Sequence, residues 1–217
     1  IRELSIAAEA RGTDATGIAY NTSRGLQVYK RPLAAHRLHL RIPAEARAVM
    51  GHTRMTTQGS AKKNYNNHPF FGHVKEESFA LAHNGVLFLD ELPEFGRNGV
   101  LWNDLELRHA KHLPRTKVQT DSYIAVQLLE QKKSLDFDSL RYMAEQVEGS
   151  FSFTVLDEQS ALWIVKGDSP LSIAYFPERG VYVYACRRPQ QSAGVYRTLY
   201  GLRFMNLIRQ SMNYIKR

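Results

Sequence analysis

Two short polar clusters in this 217-residue chain carry the side chains best suited to chemistry. Residues 48–50 are apolar and lead into Gly51-His52-Thr53-Arg54, and residues 79–82 are apolar and lead into His83-Asn84-Gly85. A strand that ends by delivering polar groups is a natural wall for a site. Arg54 offers a planar fork that fits a carboxylate. Asn84 offers an amide donor and Gly85 a backbone N–H with no side chain in the way, so together they suit an oxyanion. Asp121 follows Thr120 at the start of a helical run, where it could cap the helix or hold an ammonium group. Arg54 and Asp121 at opposite ends of one pocket would grip a free α-amino acid, and Asn84 and Gly85 would then face an acyl or amide carbon. Taken singly, each has a plainer reading: Arg54 as a surface ion pair, Asn84-Gly85 as a type I′ turn, Asp121 as a cap. The case lies in their joint order.

These residues need elements to position them. Residues 1–10 read as the end of a helix with Leu4, Ala7 and Ala8 on one side. The turn Arg11-Gly12-Thr13-Asp14-Ala15-Thr16-Gly17 follows, and then two strand-like runs, 18–20 and 26–30, joined across residues 21–25. Residues 121–131 and 137–147 have helical spacing. Four strand candidates come next, at 151–156, 161–165, 171–176 and 181–186. From Val195 to Ile215 apolar residues recur every three or four positions, as on one face of a long amphipathic helix. The expectation is α+β, with one domain over residues 1–190 and a basic helix over 191–217 packed on it. Asn84-Gly85-Val86-Leu87-Phe88 is echoed by Asn98-Gly99-Val100-Leu101-Trp102. The echo marks residues 89–97 as an inserted loop and Asn98-Gly99 as a second candidate oxyanion pair. Asn84 is preferred because His83 precedes it and a strand leads into it.

In order along the chain, several segments resemble motifs of the class II glutamine amidotransferases. Arg11-Gly12-Thr13-Asp14-Ala15-Thr16-Gly17-Ile18-Ala19 is similar to their R-G-x-D-S/A-x-G-I/L-A turn, and Gly51-His52-Thr53-Arg54-Met55-Thr56-Thr57-Gln58-Gly59 to their G-H-T-R-W/Y-A-T-x-G segment. Asn67-His68-Pro69-Phe70, His83-Asn84-Gly85, Thr120-Asp121-Ser122, Glu148-Gly149-Ser150-Phe151-Ser152 and Gly167-Asp168-Ser169-Pro170-Leu171 resemble five further family segments. The resemblance implies an Ntn-hydrolase-like αββα four-layer sandwich with two stacked antiparallel sheets. It implies hydrolysis of glutamine to glutamate and ammonia through a γ-glutamyl thioester. The nucleophile would be a mature N-terminal cysteine whose own α-amine acts as base. Carried over by motif, Arg54 would bind the glutamine α-carboxylate and Asp121 the α-ammonium. His83 and Thr57 would join the substrate-binding group, Asn84 and Gly85 would form the oxyanion hole, and Arg11 and Gly12 would support the N-terminal amine.

The sequence departs from that pattern in places. No N-terminal cysteine is present in these 217 residues, and the expectation is that a strand and part of a helix precede Ile1; the other reading is a catalytically silent amino-acid-binding domain. Met55 replaces a usual aromatic, and Gln58 stands where some members have histidine. Cys186 is the only cysteine, which excludes an internal disulfide, and a lone buried cysteine is usually an inert small hydrophobe. Arg187 and Arg188 beside it would favour its thiolate.

Totals bound the rest. A chain of this length loses roughly 70% of its unfolded surface on folding. No apolar run approaches the ~20 residues of a membrane span, and no signal peptide is visible, which points to the cytoplasm. No cofactor and no metal is expected. The formal net charge is +8, and from Arg179 to Arg217 there are eight basic residues and no acidic one. That block suits a solvated helix face, or a nucleic-acid partner. A separate ammonia-acceptor protein is the other expected partner, with glutamine as the small-molecule substrate.

Overall fold

The computed structural model describes residues 1–88, 108–186 and 204–206. The chain begins with the helix α1 (Arg2–Ala7) and a 3-10 turn over Ala8–Arg11. Strands β1 (Ala15–Thr22), β2 (Gly25–Arg31) and β3 (Val49–Arg54) form an antiparallel sheet in the order β2-β1-β3. The second sheet holds β4 (Phe70–Val74), β5 (Glu77–Phe88), β6 (Glu148–Asp157) and β7 (Leu162–Lys166), antiparallel to one another. Between β5 and β6 come the helices α2 (Tyr123–Lys132) and α3 (Phe137–Gln146). Strands β8 (Ser172–Phe176) and β9 (Val181–Ala185) form a separate ribbon. Strand β10 (Phe204–Asn206) pairs parallel with β7.

The long strands alternate faces, as the period of two demands. Phe79, Leu81, Phe153 and Val155 face one way, into a core with Ile124, Leu128 and Leu129 of α2 and Leu140 and Met143 of α3. Ala80, Ala82 and Leu156 face the other way and meet Ala19, Leu26 and Met50 of the first sheet. Small alanines on both sides let the sheets approach closely. Helix α1 and its 3-10 turn lie against β3, so the layers run helices, sheet, sheet, helix, as the resemblance implies. Helix α3 is started by a capping box: Asp136 accepts from the Ser139 N–H at 2.8 Å, and Ser139 Oγ accepts from the Asp136 N–H at 2.9 Å.

Strand β4 is absent from the expected elements because Pro69 precedes it and the adjacent Gly72-His73 pair interrupts its apolar residues; pairing with β5 fixes it. The helix expected over 191–217 falls largely outside the described residues. At Phe204–Asn206 the backbone is a strand, not a helix, because hydrogen bonding to the β7 edge outweighs a helical apolar spacing there.

Candidate functional site

The polar ends of β3 and β5 and the start of α2 come together at one end of the stacked sheets. Arg54, the last residue of β3, is buried. Its Nη1 donates to Asn67 Oδ1 at 2.8 Å, and its Nη2 donates to the Gln58 carbonyl. Burial lowers the guanidinium pKa, and the charges of Asp121 and Asp14 oppose that. A guanidinium has five N–H donors, so these two bonds orient the group and leave donors for a ligand.

Asp121 stands at the N-terminus of α2, where its carbonyl accepts from the Ile124 N–H. Its side chain is also buried. Oδ2 accepts from the Leu87 N–H at 2.8 Å, and Oδ1 accepts from the Ser122 hydroxyl at 3.2 Å. An ionised carboxylate has about four acceptor sites, so capacity remains for an ammonium. Gln58 joins the two ends: its carbonyl takes Arg54, and its Oε1 accepts the Asp121 N–H at 3.2 Å. Among the described residues Arg54 and Asp121 form no direct ion pair, so both charges stay open to a bound zwitterion.

Asn84 lies on β5, three residues before Leu87. Its Oδ1 accepts from Arg11 Nη2, while its buried Nδ2 has no partner. A cation on the oxygen settles which way the amide faces and leaves the NH2 as a committed, unused donor. A buried donor without a partner is costly, and a ligand oxygen would satisfy it. Gly85 follows at φ +139°, and a Cβ there would stand 1.8 Å from the Ser150 carbonyl oxygen, so only glycine fits. Gly12 is equally constrained: a Cβ would sit 2.1 Å from the Met55 nitrogen. That close passage lets Asp14 tie the loop after β3, its N–H donating to the Arg54 carbonyl at 3.0 Å and its Oδ2 accepting the Thr56 N–H at 2.8 Å. The Thr56 hydrogen bond holds the Asp14 pKa below its usual value.

His83 is placed differently from the expected substrate contact. On a strand it points to the opposite face from Asn84, and its ring stacks on Phe153 at 4.7 Å between centroids. Its Nδ1 lies 2.8 Å from Ser122 Oγ and its Nε2 3.3 Å from the Ser150 carbonyl. The ring therefore backs the Asp121-Ser122 corner from behind. Thr57 is exposed on the loop between Arg54 and Gln58. Arg11 reaches Asn84, a contact the motif alone did not indicate. The alternative pair Asn98-Gly99 lies outside the described residues.

Three histidines sit behind the wall. His52 Nε2 lies 3.0 Å from the His83 carbonyl, which makes it the donor nitrogen of a neutral ring. His52 and His68 stack at 4.3 Å, and His68 meets Phe70 edge-on at 4.4 Å. Desolvation pulls the His52 pKa down to about 4 and that of His68 well below its usual value. Both are neutral packing groups. Cys186 is remote from nucleophile behaviour: burial pushes its thiol up to about 11, against the opposing charge of Arg11. Among the described residues no group of His, Cys, Asp or Glu is arranged to hold a metal ion, and no helix is long and apolar enough to cross a membrane. A cleft of about 470 Å³ lined by Val74, Glu77, Lys133, Asp136 and Glu158 lies at the other end of β5. Seven residues of strand, roughly 23 Å, separate Glu77 from Asn84.

Gln58, Asn67 and Ser122 carry much of this network. Asn67 and Ser122 lie inside motif segments but have no chemistry that their type alone would single out. Gln58 appears in the sequence only as a departure.

Residues 6–98 match the family model for class-II glutamine amidotransferases. The chain is 29% identical over 174 residues to the glutamine–fructose-6-phosphate aminotransferase (isomerizing) of Bacillus spizizenii, covering 76% of this chain and 26% of that protein. It is 32% identical over 157 residues to the enzyme of the same name from Thermus thermophilus, covering 69% of this chain and 23% of that protein. The chain thus spans about a quarter of the length of these curated relatives. Among solved structures, a glutamine phosphoribosylpyrophosphate (PRPP) amidotransferase from Bacillus subtilis, complexed with ADP and GMP, superposes with a TM-score of 0.59 at 19% identity, over 83% of this chain and 37% of that one. At that identity the likeness is one of fold, an α+β arrangement of stacked antiparallel sheets and helices.

Proposed function

The chain belongs to the class II glutamine amidotransferases, and on that premise we propose that it binds free glutamine between Arg54 and Asp121 and supports its hydrolysis to glutamate and ammonia. Arg54 takes the α-carboxylate and Asp121 the α-ammonium. The γ-amide carbonyl then lies against Asn84 and Gly85. The nucleophile in this reading would be an N-terminal cysteine, as the family resemblance implies. Its α-amine takes the thiol proton as sulfur attacks the γ-carbon. The oxyanion that forms is held by Asn84 Nδ2–H and the Gly85 N–H. Collapse breaks the C–N bond, and the proton returns to the departing nitrogen as ammonia leaves. Water then cleaves the thioester and releases glutamate. The ammonia acceptor is a further domain or a separate protein.

The observation that carries this reading is the Asn84 amide: its oxygen is occupied by Arg11, and its buried NH2 is unpaired, three residues before the Leu87 N–H that Asp121 holds. The test is ammonia release from glutamine by the full-length protein. Glutamate binding without ammonia release would leave an amino-acid-binding domain, and neither binding nor release would remove the reading altogether.

A further inference from the structure

Behind the carboxylate end of the clamp lies a second cation whose position the motif segments do not mention. Lys30 is half-buried on β2, opposite Gly17 of β1. Its Nζ donates to the Asn67 carbonyl at 2.5 Å and to the Pro69 carbonyl at 2.9 Å, and it stands 5.0 Å above the centre of the Phe70 ring. Its own carbonyl accepts from Asn64 Nδ2 at 3.0 Å, and Asn64 Oδ1 lies 3.4 Å from Asn67 Nδ2. The turn it grips is pressed on the β1–β2 ribbon: a Cβ on Gly17 would stand 2.1 Å from the His68 carbonyl and 2.8 Å from Lys30 Cβ.

The same Asn67 holds Arg54. It is fully buried, its Nδ2 donates to the Ala61 carbonyl at 2.8 Å, and its Oδ1 receives Arg54 Nη1. One chain of bonds therefore runs from the Lys30 ammonium through the Asn67 backbone and side chain to the guanidinium. No carboxylate pairs with Lys30 among the described residues; its partners are carbonyl oxygens and a ring face. Burial and the Arg54 charge pull its pKa down to about 8. Two cations crowding one wall repel each other, and a ligand carboxylate in front of Arg54 relieves that repulsion.

We propose that Lys30 is a positioning residue for substrate recognition: it locks the Asn67 turn and so aims the Arg54 guanidinium at the α-carboxylate. This rests on reading the site as an amino-acid clamp. A guanidinium held in one orientation keeps both parallel bonds to a carboxylate, and a displacement of about 1 Å at such a contact is costly. Lysine suits the task because its ammonium reaches two carbonyls at once.

The experiment compares two ligands that differ only at the α-carboxyl group and lack a γ-amide to hydrolyse: L-glutamate and its α-amide, isoglutamine. Their dissociation constants are measured by calorimetry for the full-length protein, for Lys30→Met and for Lys30→Arg. Lys30→Met is expected to weaken glutamate about tenfold and leave isoglutamine unchanged, as expected for one charge-assisted contact put out of register. Lys30→Arg restores most of the loss. Lys30→Gln replaces Lys30→Met in the comparison if the latter fails to fold. Unchanged glutamate affinity, or equal loss for both ligands, overturns the proposal. A wild-type protein that binds no glutamate overturns the clamp reading itself, and this inference with it.

Discussion

The Asp121 backbone N–H donates to the side-chain oxygen of Gln58 at 3.2 Å, while the Gln58 carbonyl accepts from Arg54. One residue thus ties together the two charges proposed to grip the ligand. Gln58→Ala keeps the carbonyl contact and removes the amide contact. It should weaken glutamate binding about fivefold, the worth of roughly 1 kcal/mol for a single hydrogen bond. A calorimetric titration checks this, and an unchanged affinity would show that the two charges are held in place by other contacts.

Asn84→Asp keeps the shape and removes the donor. Ammonia release by the full-length protein should fall in kcat by about 10²–10³, the usual cost of losing one oxyanion donor. The KM for glutamine should change little, since Arg54 and Asp121 still hold its α-groups and its γ-amide is neutral. A fall in affinity with kcat intact would place Asn84 in binding instead.

Gly85→Ala forces a Cβ into the Ser150 carbonyl at a positive φ. The loss of stability should exceed about 3 kcal/mol, read as a lower urea midpoint or insoluble expression. A variant as stable as the wild type would contradict the tight approach of β5 to β6 at this point.

The buried histidines make the fold acid-sensitive. His52 is held neutral with its pKa lowered to about 4, and His68 is lowered well below its usual value, both by desolvation. The surrounding charges are Arg54, Arg11 and Lys30, which add to the lowering at one or both rings. In the unfolded chain these rings take up protons below about pH 6.5, and in the folded protein they do not. Stability therefore falls as pH drops from 6.5 towards 4, by about 1.4 kcal/mol per unit for each such ring. Unfolding curves between pH 7 and 5 should show this slope, and His68→Phe should reduce it by one proton.

Cys186 should resist labelling. With its thiol pushed up to about 11 by burial, alkylation of the native protein at pH 8 should run about a hundredfold slower than in urea, in proportion to the thiolate available. Rapid native labelling would reopen a role for it.

Much of this is legible in the sequence. The apolar runs that end at Arg54 and Asn84 are strands, and Thr120-Asp121 does open a helix, because each rests on local pattern. The facing of His83 is not legible there, because a tripeptide motif does not say that adjacent strand residues point apart. Gln58 and Lys30 were invisible as participants. Their roles depend on backbone carbonyls brought close by sheet packing, and carbonyls leave no trace in residue type. The contact of Arg11 with Asn84 spans 73 positions and arises only once the first turn folds over the second sheet.

The two sheets meet through Ala19, Ala80, Ala82, Met50 and Leu156, and the candidate site straddles that seam: Arg54 belongs to one sheet, and Asn84 to the other. In the proposed clamp the seam would act as a ruler for the ligand. Enlarging an alanine there would slide the carboxylate anchor relative to the amide donor without touching either. If the proposed clamp binds glutamine, its selectivity for side-chain length, glutamine over asparagine, would drift through substitutions at positions that never meet the ligand.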